Sequence, residues 1–277
     1  MNAYARLEQV RAELNGPGHA LDAQILSLME MASRVIDREC QRQFFASVET
    51  RYFDGLGEPR LVLNADLASA SSVQVDANDD GTFEYTLAAN TDYWLYPDNR
   101  PSHAPSAWAI ELHGRSGAQL SVWPYSRRAV KVTGTWGYSY ETEAAGQLAA
   151  ALTDSATEVV LDAGHSVMAG ATLVIGSEQM DVTAVVAERL TVQRAINGTT
   201  AAAHLDDAVV SVVRYPRPIE QACALQTVRM AWESQGGYAG ALQTSESYAA
   251  SGPSRFSQLY PAIRDMVAPY HAWGGVL

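Results

Sequence analysis

Between Ala20 and Arg42 the apolar positions Leu21, Ile25, Leu28, Ala32, Val35 and Cys40 recur at helical spacing, with Ile36 filling the last gap and Arg34, Asp37, Arg38 and Gln41 mostly off the stripe. The pattern predicts one long helix, about 35 Å at ~1.5 Å per residue. Its apolar face suits packing against other helices, of this chain or of a neighbour. A shorter helix is predicted over residues 3–14, stopped by Asn15-Gly16-Pro17-Gly18. After Phe44-Phe45 the period falls from about 3.6 to 2. Phe83, Tyr85 and Leu87 alternate with Glu84 and Thr86, and Val130, Val132, Gly134 and Trp136 alternate with Lys131, Thr133 and Thr135, as in half-buried strands. Shorter runs at 51–54, 60–63, 72–76, 93–96, 109–113 and 119–123 are divided by turn signals at Asp54-Gly55, Asp80-Gly81, Pro97-Asp98-Asn99 and Ser116-Gly117. An antiparallel sheet or small barrel is expected there.

Residues 141–151 read as an Ala-rich connection without aromatics. A second all-β pattern follows: Val159 and Leu161, Leu173 and Ile175, Met180 to Val186, Leu190 and Val192, and Val209 to Val213. No Trp, Tyr, Phe or Pro occurs between Leu152 and Val213, although both flanks are rich in them. Residues 148–213 are therefore read as an inserted all-β domain, and residues 1–147 with 214–277 as the host core. Pro218 opens a helix expected to run to about Ser234, Gly236-Gly237 ends it, and residues 238–254 are rich in Gly, Ser and Ala. A last helix, Ser257 to Tyr270, places Leu259, Ile263, Val267 and Tyr270 on one face. The predicted class is α+β, with N- and C-terminal helices packed with an antiparallel β region plus the small inserted β domain.

Composition narrows the function classes. The chain has 277 residues, 47% hydrophobic and 18% charged, which excludes disordered, collagenous and disulfide-scaffold proteins. No stretch of 18 apolar residues appears, and the first residues lack a charged segment followed by an apolar one, so no membrane association is expected and the default compartment is cytosolic. Cys40 and Cys223 are far apart in helical segments and read as buried small hydrophobes. The formal charge is −12, and Lys131 is the single lysine. Residues 1–146 hold 12 bases and 19 acids, 147–214 hold 3 and 8, and 215–277 hold 4 and 4. Such a surface disfavours DNA adhesion, which relies on clustered Lys and Arg, and fits either no contact or a conduit past which DNA slides.

Catalytic motifs are scarce. The lone lysine follows Val130, so no phosphate-cradling P-loop exists, and there is no Gly-x-Ser-x-Gly elbow. The six histidines make no His-x-x-x-His pair. The expectation is a protein that is not an enzyme and carries no cofactor. Asp76-Ala77-Asn78-Asp79-Asp80-Gly81 spaces oxygen ligands as calcium loops do, so Asp76, Asn78 and Asp80 are the candidate metal ligands. The twelfth position is Leu87, where a calcium loop needs Glu, and a hairpin turning at Asp80-Gly81 is the preferred reading. Arg127-Arg128 beside Tyr125 and Trp123 resembles a nucleic-acid patch, against the simpler reading of a polar turn. Asn197-Gly198-Thr199 reads as a hairpin turn rather than a glycosylation site. The chain ends in an uncharged tail, His271 to Leu277, whose Tyr270, Trp273, Val276 and Leu277 are expected to dock on a partner.

The order of these elements, with Arg34-Val-Ile-Asp-Arg38, Phe44-Phe45 and Gly134-Thr-Trp-Gly-Tyr138, resembles the head-to-tail connector, or adaptor, proteins of long-tailed bacteriophages over residues 20–146 and more loosely 215–273. Residues 164–207, with Gly176-Ser-Glu-Gln-Met-Asp-Val182 and Arg194-Ala-Ile-Asn-Gly-Thr-Thr200, look like a small β-module that recurs in phage structural proteins, an insertion that a simple adaptor lacks. The resemblance implies a homo-oligomeric ring, a dodecamer, in the virion neck between capsid and tail, assembled in the host cytoplasm. The portal protein would bind one side, through Tyr270, Trp273, Val276 and Leu277, and a downstream neck (stopper) or tail protein the other, with DNA passing non-specifically. An exposed helix stripe and greasy C-terminus would add sticky surface to that ring. The alternative is a tail or baseplate β-module that binds a cell-surface glycan through exposed Trp and Tyr.

Overall fold

The computed structural model describes residues 2–14, 21–100, 105–114, 119–138, 140–234 and 258–272. The two-residue period of the first β region yields β1 (Ser47–Phe53), β2 (Arg60–Val75), β3 (Tyr85–Leu87), β4 (Tyr93–Tyr96), β5 (Ala107–Leu112) and β6 (Val130–Trp136). They form one antiparallel sheet in the order β1-β6-β2-β5-β4, with β3 added to the end of β2. The runs at 60–63 and 72–76 belong to one bulged strand, β2, whose register shifts between Leu67 and Ser69 and again between Ala70 and Ser72. Residues 119–123 form no strand. Trp123 is instead a buried plug, its N–H donating to Glu58 O at 3.0 Å and its indole N–H to Pro59 O at 3.0 Å.

The signature residues are spent on close packing. Trp136 is buried with its indole N–H on Glu49 O at 3.1 Å, stacked on Phe53 and covered by the Arg51 guanidinium 4.4 Å away. A Cβ at Gly134 would lie 2.2 Å from Ser69 O, so β6 approaches β2 only because that side chain is missing. Arg42 lies 3.4 Å from Asp66 and 5.0 Å over the ring of Tyr138, which in turn packs on Phe44 at 5.2 Å.

A second set of elements comprises the helices α1 (Leu7–Glu13), α2 (Asp22–Cys40), α3 (Arg217–Ser234) and α4 (Pro261–Val267), with a 3-10 turn at Ala268–Tyr270. Its strands are β7 (Glu141–Gln147), β8 (Glu158–Val160), β9 (Thr172–Ile175), β10 (Glu178–Val186), β11 (Arg189–Gln193) and β12 (Val209–Arg214). They make an antiparallel sheet in the order β7-β12-β9-β10-β11-β8 around Leu148, Leu161, Leu173, Met180 and Val210. The stripe read on α2 is buried within the chain: Ile25, Leu28, Ala32, Val35, Ile36 and Cys40 are all at 9% exposure or less. α2 packs chiefly on α3, so this stripe is not a free adhesive surface. Cys40 and Cys223 are buried free thiols, and burial pushes the Cys223 thiol up. Tyr4 pins the N-terminal segment, its N–H on Ser33 Oγ at 3.0 Å and its hydroxyl on Asp37 at 2.6 Å, while Arg34 pairs with Asp37 at 3.2 Å.

The chain divides into two compact units, residues 42–140 with 197–199, and residues 1–41 with 141–196 and 200–277. This partition differs from one that isolates 148–213. Residues 141–147 are a strand rather than a connection, because their backbone pairs with β12 from Glu141↔Arg214 to Gln147↔Val209. Asn197-Gly198 is not a two-residue hairpin turn either; it lies in the long connection between β11 and β12. There Val48 N–H donates to Asn197 O at 2.8 Å, and a Cβ at Gly198, whose φ is +74°, would fall 2.1 Å from Val48 O. Gly134→Ala is expected to cost about 1–3 kcal/mol by forcing β6 away from β2. Urea unfolding followed by tryptophan fluorescence measures it, and an unchanged midpoint would mean that the sheet absorbs the methyl group.

Candidate functional site

β2 and β3 are joined by the nine residues Asp76 to Glu84, the loop with calcium-like spacing. Asp76 is buried at its root, with one carboxylate oxygen accepting the Asp79 N–H at 2.8 Å and the other the Gly81 N–H at 2.8 Å. Asp80 accepts the Thr82 N–H at 2.7 Å, a hydrogen bond that holds its carboxyl below the usual range. Asp79 and Gly81 take positive φ values of 62° and 85°, which close the turn. Carboxylate oxygens of Asp76, Asp80 and Glu84 lie within 4.8 Å of one another. Glu84 thus joins Asp76 and Asp80 there, and the Asn78 amide N–H donates to Asp80 at 3.2 Å. Among the described residues these three carboxylates are the group that could hold a divalent cation. Both oxygens of Asp76 already serve backbone N–H groups, and Leu87 stands where a bidentate ligand would be needed.

Beside this loop, β1 and β6 place Tyr52 opposite Lys131 and Thr50 opposite Thr133, whose hydroxyls meet at 2.8 Å. Phe83 lies 6.1 Å from the Tyr52 ring, Lys131 Nζ stands 5.5 Å over Phe83, and the Arg128 guanidinium sits 4.3 Å over Tyr52. The Arg127-Arg128 turn thus meets one aromatic ring, Tyr52 under Arg128, rather than Trp123, which is buried, whereas Tyr125 is 86% exposed. The nearby acids Asp54 and Asp79 are engaged by the Arg128 N–H and the Ser126 hydroxyl.

A third cluster escaped sequence reasoning. The Glu178 carboxylate is buried and receives Arg194 on both oxygens at 2.6 Å, His204 at 2.9 Å and the Ala202 N–H at 3.0 Å. Arg194 also donates to the carbonyls of Thr153, Ala156 and Ala202. Burial by itself would raise the Glu178 carboxyl; the bonds from Arg194, His204 and Ala202, with the Arg194 charge, override it and bring it to about 2. The cluster ties three irregular segments together, its charges spent on one another and on their backbone. The one clue in the sequence is a glutamate amid the apolar residues Leu173, Ile175, Met180 and Val182.

Of the residues read as a docking tail, Tyr270 is half-buried in the 3-10 turn, and burial raises its hydroxyl. Trp273, Val276 and Leu277 lie outside the described residues. Two residues beyond Tyr270, the Ala272 N–H donates to Cys40 O at 2.8 Å, so the chain is held to the end of α2 as far as Ala272. No family model and no curated protein matches this chain. Its function must be argued from its own residues.

Asp76→Ala strands two loop N–H groups and is expected to cost about 2–3 kcal/mol in urea unfolding. Calorimetric titration of the intact protein with calcium is expected to give no saturable heat up to about 1 mM; tighter binding lost in Asp80→Ala would reverse the turn reading. Because the folded Glu178 carboxyl lies below its ordinary value of 4.5, its stabilisation is present above about pH 4.5 and lost as pH falls toward 2. Glu178→Ala is expected to lower stability by about 3–5 kcal/mol at pH 7, leaving Arg194 buried without its counter-ion, and to flatten that acid limb. Denaturation series at pH 3 to 7 on both proteins check this.

Proposed function

We propose that this chain is a structural neck protein of a long-tailed phage virion: a head-to-tail adaptor that forms a ring under the portal, through which the genome passes and to which a downstream neck or tail protein binds. The order of elements supports this reading, with two helices, an antiparallel sheet, a small β-module, a central helix and a terminal helix in succession. The residues that carry the connector resemblance act as packing and pairing groups: Arg34 with Asp37 inside α2, and Phe44, Trp136 and Tyr138 around the start of β1 and the end of β6. Buried charges such as Glu178, Arg194 and Asp66 are likewise spent on holding loops. A net charge of −12 favours passage of DNA over its retention.

A second reading has an observation of its own. On the first sheet Arg60 donates from Nε and a terminal nitrogen to one Glu111 carboxylate oxygen, Oε2, at 3.0 and 2.7 Å, and stacks 4.0 Å over Tyr96, which meets the exposed Trp108 edge-on at 5.0 Å. Aromatic faces flanked by a fixed Arg–Glu pair are the chemistry of a saccharide platform, which suits the tail-module alternative.

Negative-stain microscopy of the purified chain with and without portal protein separates the two. Ring-shaped density on the portal is expected, and removing residues 273–277 is expected to abolish it while the melting temperature stays nearly unchanged. A monomer that ignores the portal and binds a glycan array through Trp108 would establish the alternative.

A further inference from the structure

The face of the first sheet that carries Arg60 and Glu111 can be laid out row by row. Cross-strand neighbours share a face, so the register Arg60↔Glu111↔Trp94 sets one row and Val62↔Ala109↔Tyr96 the next, two residues further along each strand. Trp108 joins the second row through its edge-on contact with Tyr96, and His113 joins the first, its ring 4.0 Å from that of Trp94. Arg60 covers Tyr96, which leaves Trp108, 39% exposed, as the open ring and Val62 as the exposed aliphatic side chain of that row.

The polar groups on this face keep capacity. Both bonds from Arg60 go to Glu111 Oε2, so among the described residues Oε1 accepts nothing, although an ionised carboxylate has acceptor sites on both oxygens. Neither ring nitrogen of His113 has a hydrogen-bond partner. Aromatic rings with unmet hydrogen-bonding groups beside them suit a ligand that has C–H faces edged by hydroxyls, because the negative face of a ring attracts polarised C–H groups. Charge selects among such ligands. Arg60 and Glu111 cancel, while Val62, Trp94, Tyr96, Trp108 and Ala109 add no charge. The charged residues that flank these strands in the chain, Glu58, Asp98 and Arg100, leave one acid in excess. With Arg60 committed to Oε2, the face has no arginine or lysine free for an anion, and Glu111 Oε1 repels one.

We infer that this face binds a neutral saccharide and rejects acidic ones, with pyranose C–H groups resting on Trp108 and a sugar hydroxyl donating to Glu111 Oε1. The inference rests on the saccharide reading of this face given above and narrows it to one class of sugar. It holds whether the chain stands alone or in a ring.

A glycan array with neutral and acidic members, probed with the full-length chain, tests it, and calorimetric titration measures the hits. Neutral glycans are expected to bind, and sialylated, uronate-containing and phosphorylated ones to fail. Trp108→Ala is expected to weaken neutral binding by at least about tenfold. Glu111→Gln is expected to admit acidic glycans, because the repelling carboxylate is gone and Arg60 is released. A gain of binding is a result that a misfolded variant could not give. Preference for acidic glycans by the parent, or continued rejection of them by Glu111→Gln, would overturn the charge selection while the saccharide face stands. Binding of no glycan at all, or neutral binding indifferent to Trp108→Ala, would overturn the face and the inference with it.

Discussion

Loop N–H groups taken out of water need acceptors, and in this protein carboxylates supply them. Asp76 closes the β2–β3 connection by accepting from Asp79 and Gly81, Asp92 accepts the Ala88 N–H at 2.8 Å, Asp54 accepts from Arg128, and Glu178 accepts from Ala202. Each is placed where the strand period stops and the ladder can no longer satisfy the backbone. Part of the acid excess is therefore internal scaffolding rather than an outward field. Removing any one of these groups leaves donors stranded, a larger loss than the bonds themselves contribute.

The same use of charge limits what the candidate sites can do. A carboxylate already serving two N–H groups, as Asp76 does, offers a cation less than its sequence spacing promises. Arg194, with its guanidinium distributed over Glu178 and three carbonyls, has no capacity left for a substrate. Among the described cations outside any ion pair, Arg127 and Arg128 are exposed on the approach to β6.

The α2 stripe and the β6 and β10 strands were legible in the sequence because each follows one period long enough to count, whereas β1, Ser47–Phe53, was read only over 51–54. Asp80-Gly81 was legible because a positive φ favours glycine there. Residues 141–147 were not: Glu, Thr, Ala and Gly have little strand preference, and only pairing with β12 makes them a strand. Trp123 misled in the opposite sense, since an apolar run read as a strand is a loop whose indole fills the core. Glu178, Arg194 and His204 stand 16 and 26 residues apart, so their meeting depends on the β9–β12 topology. Glu84 joined Asp76 for the same reason: the hairpin register, not local spacing, brings it back.

The Asn197-Gly198-Thr199 segment belongs to the unit formed otherwise by residues 42–140. Synthesis is vectorial, so that unit emerges nearly whole yet lacks the carbonyl that Val48 N–H requires until residue 197 has been added. At roughly 5–20 residues per second the interval is about 3–11 seconds. For that time the Val48 end of the edge strand β1 keeps an unfilled donor, a point at which a stray chain can pair. A nascent polypeptide built this way has reason to be attended while the ribosome finishes it.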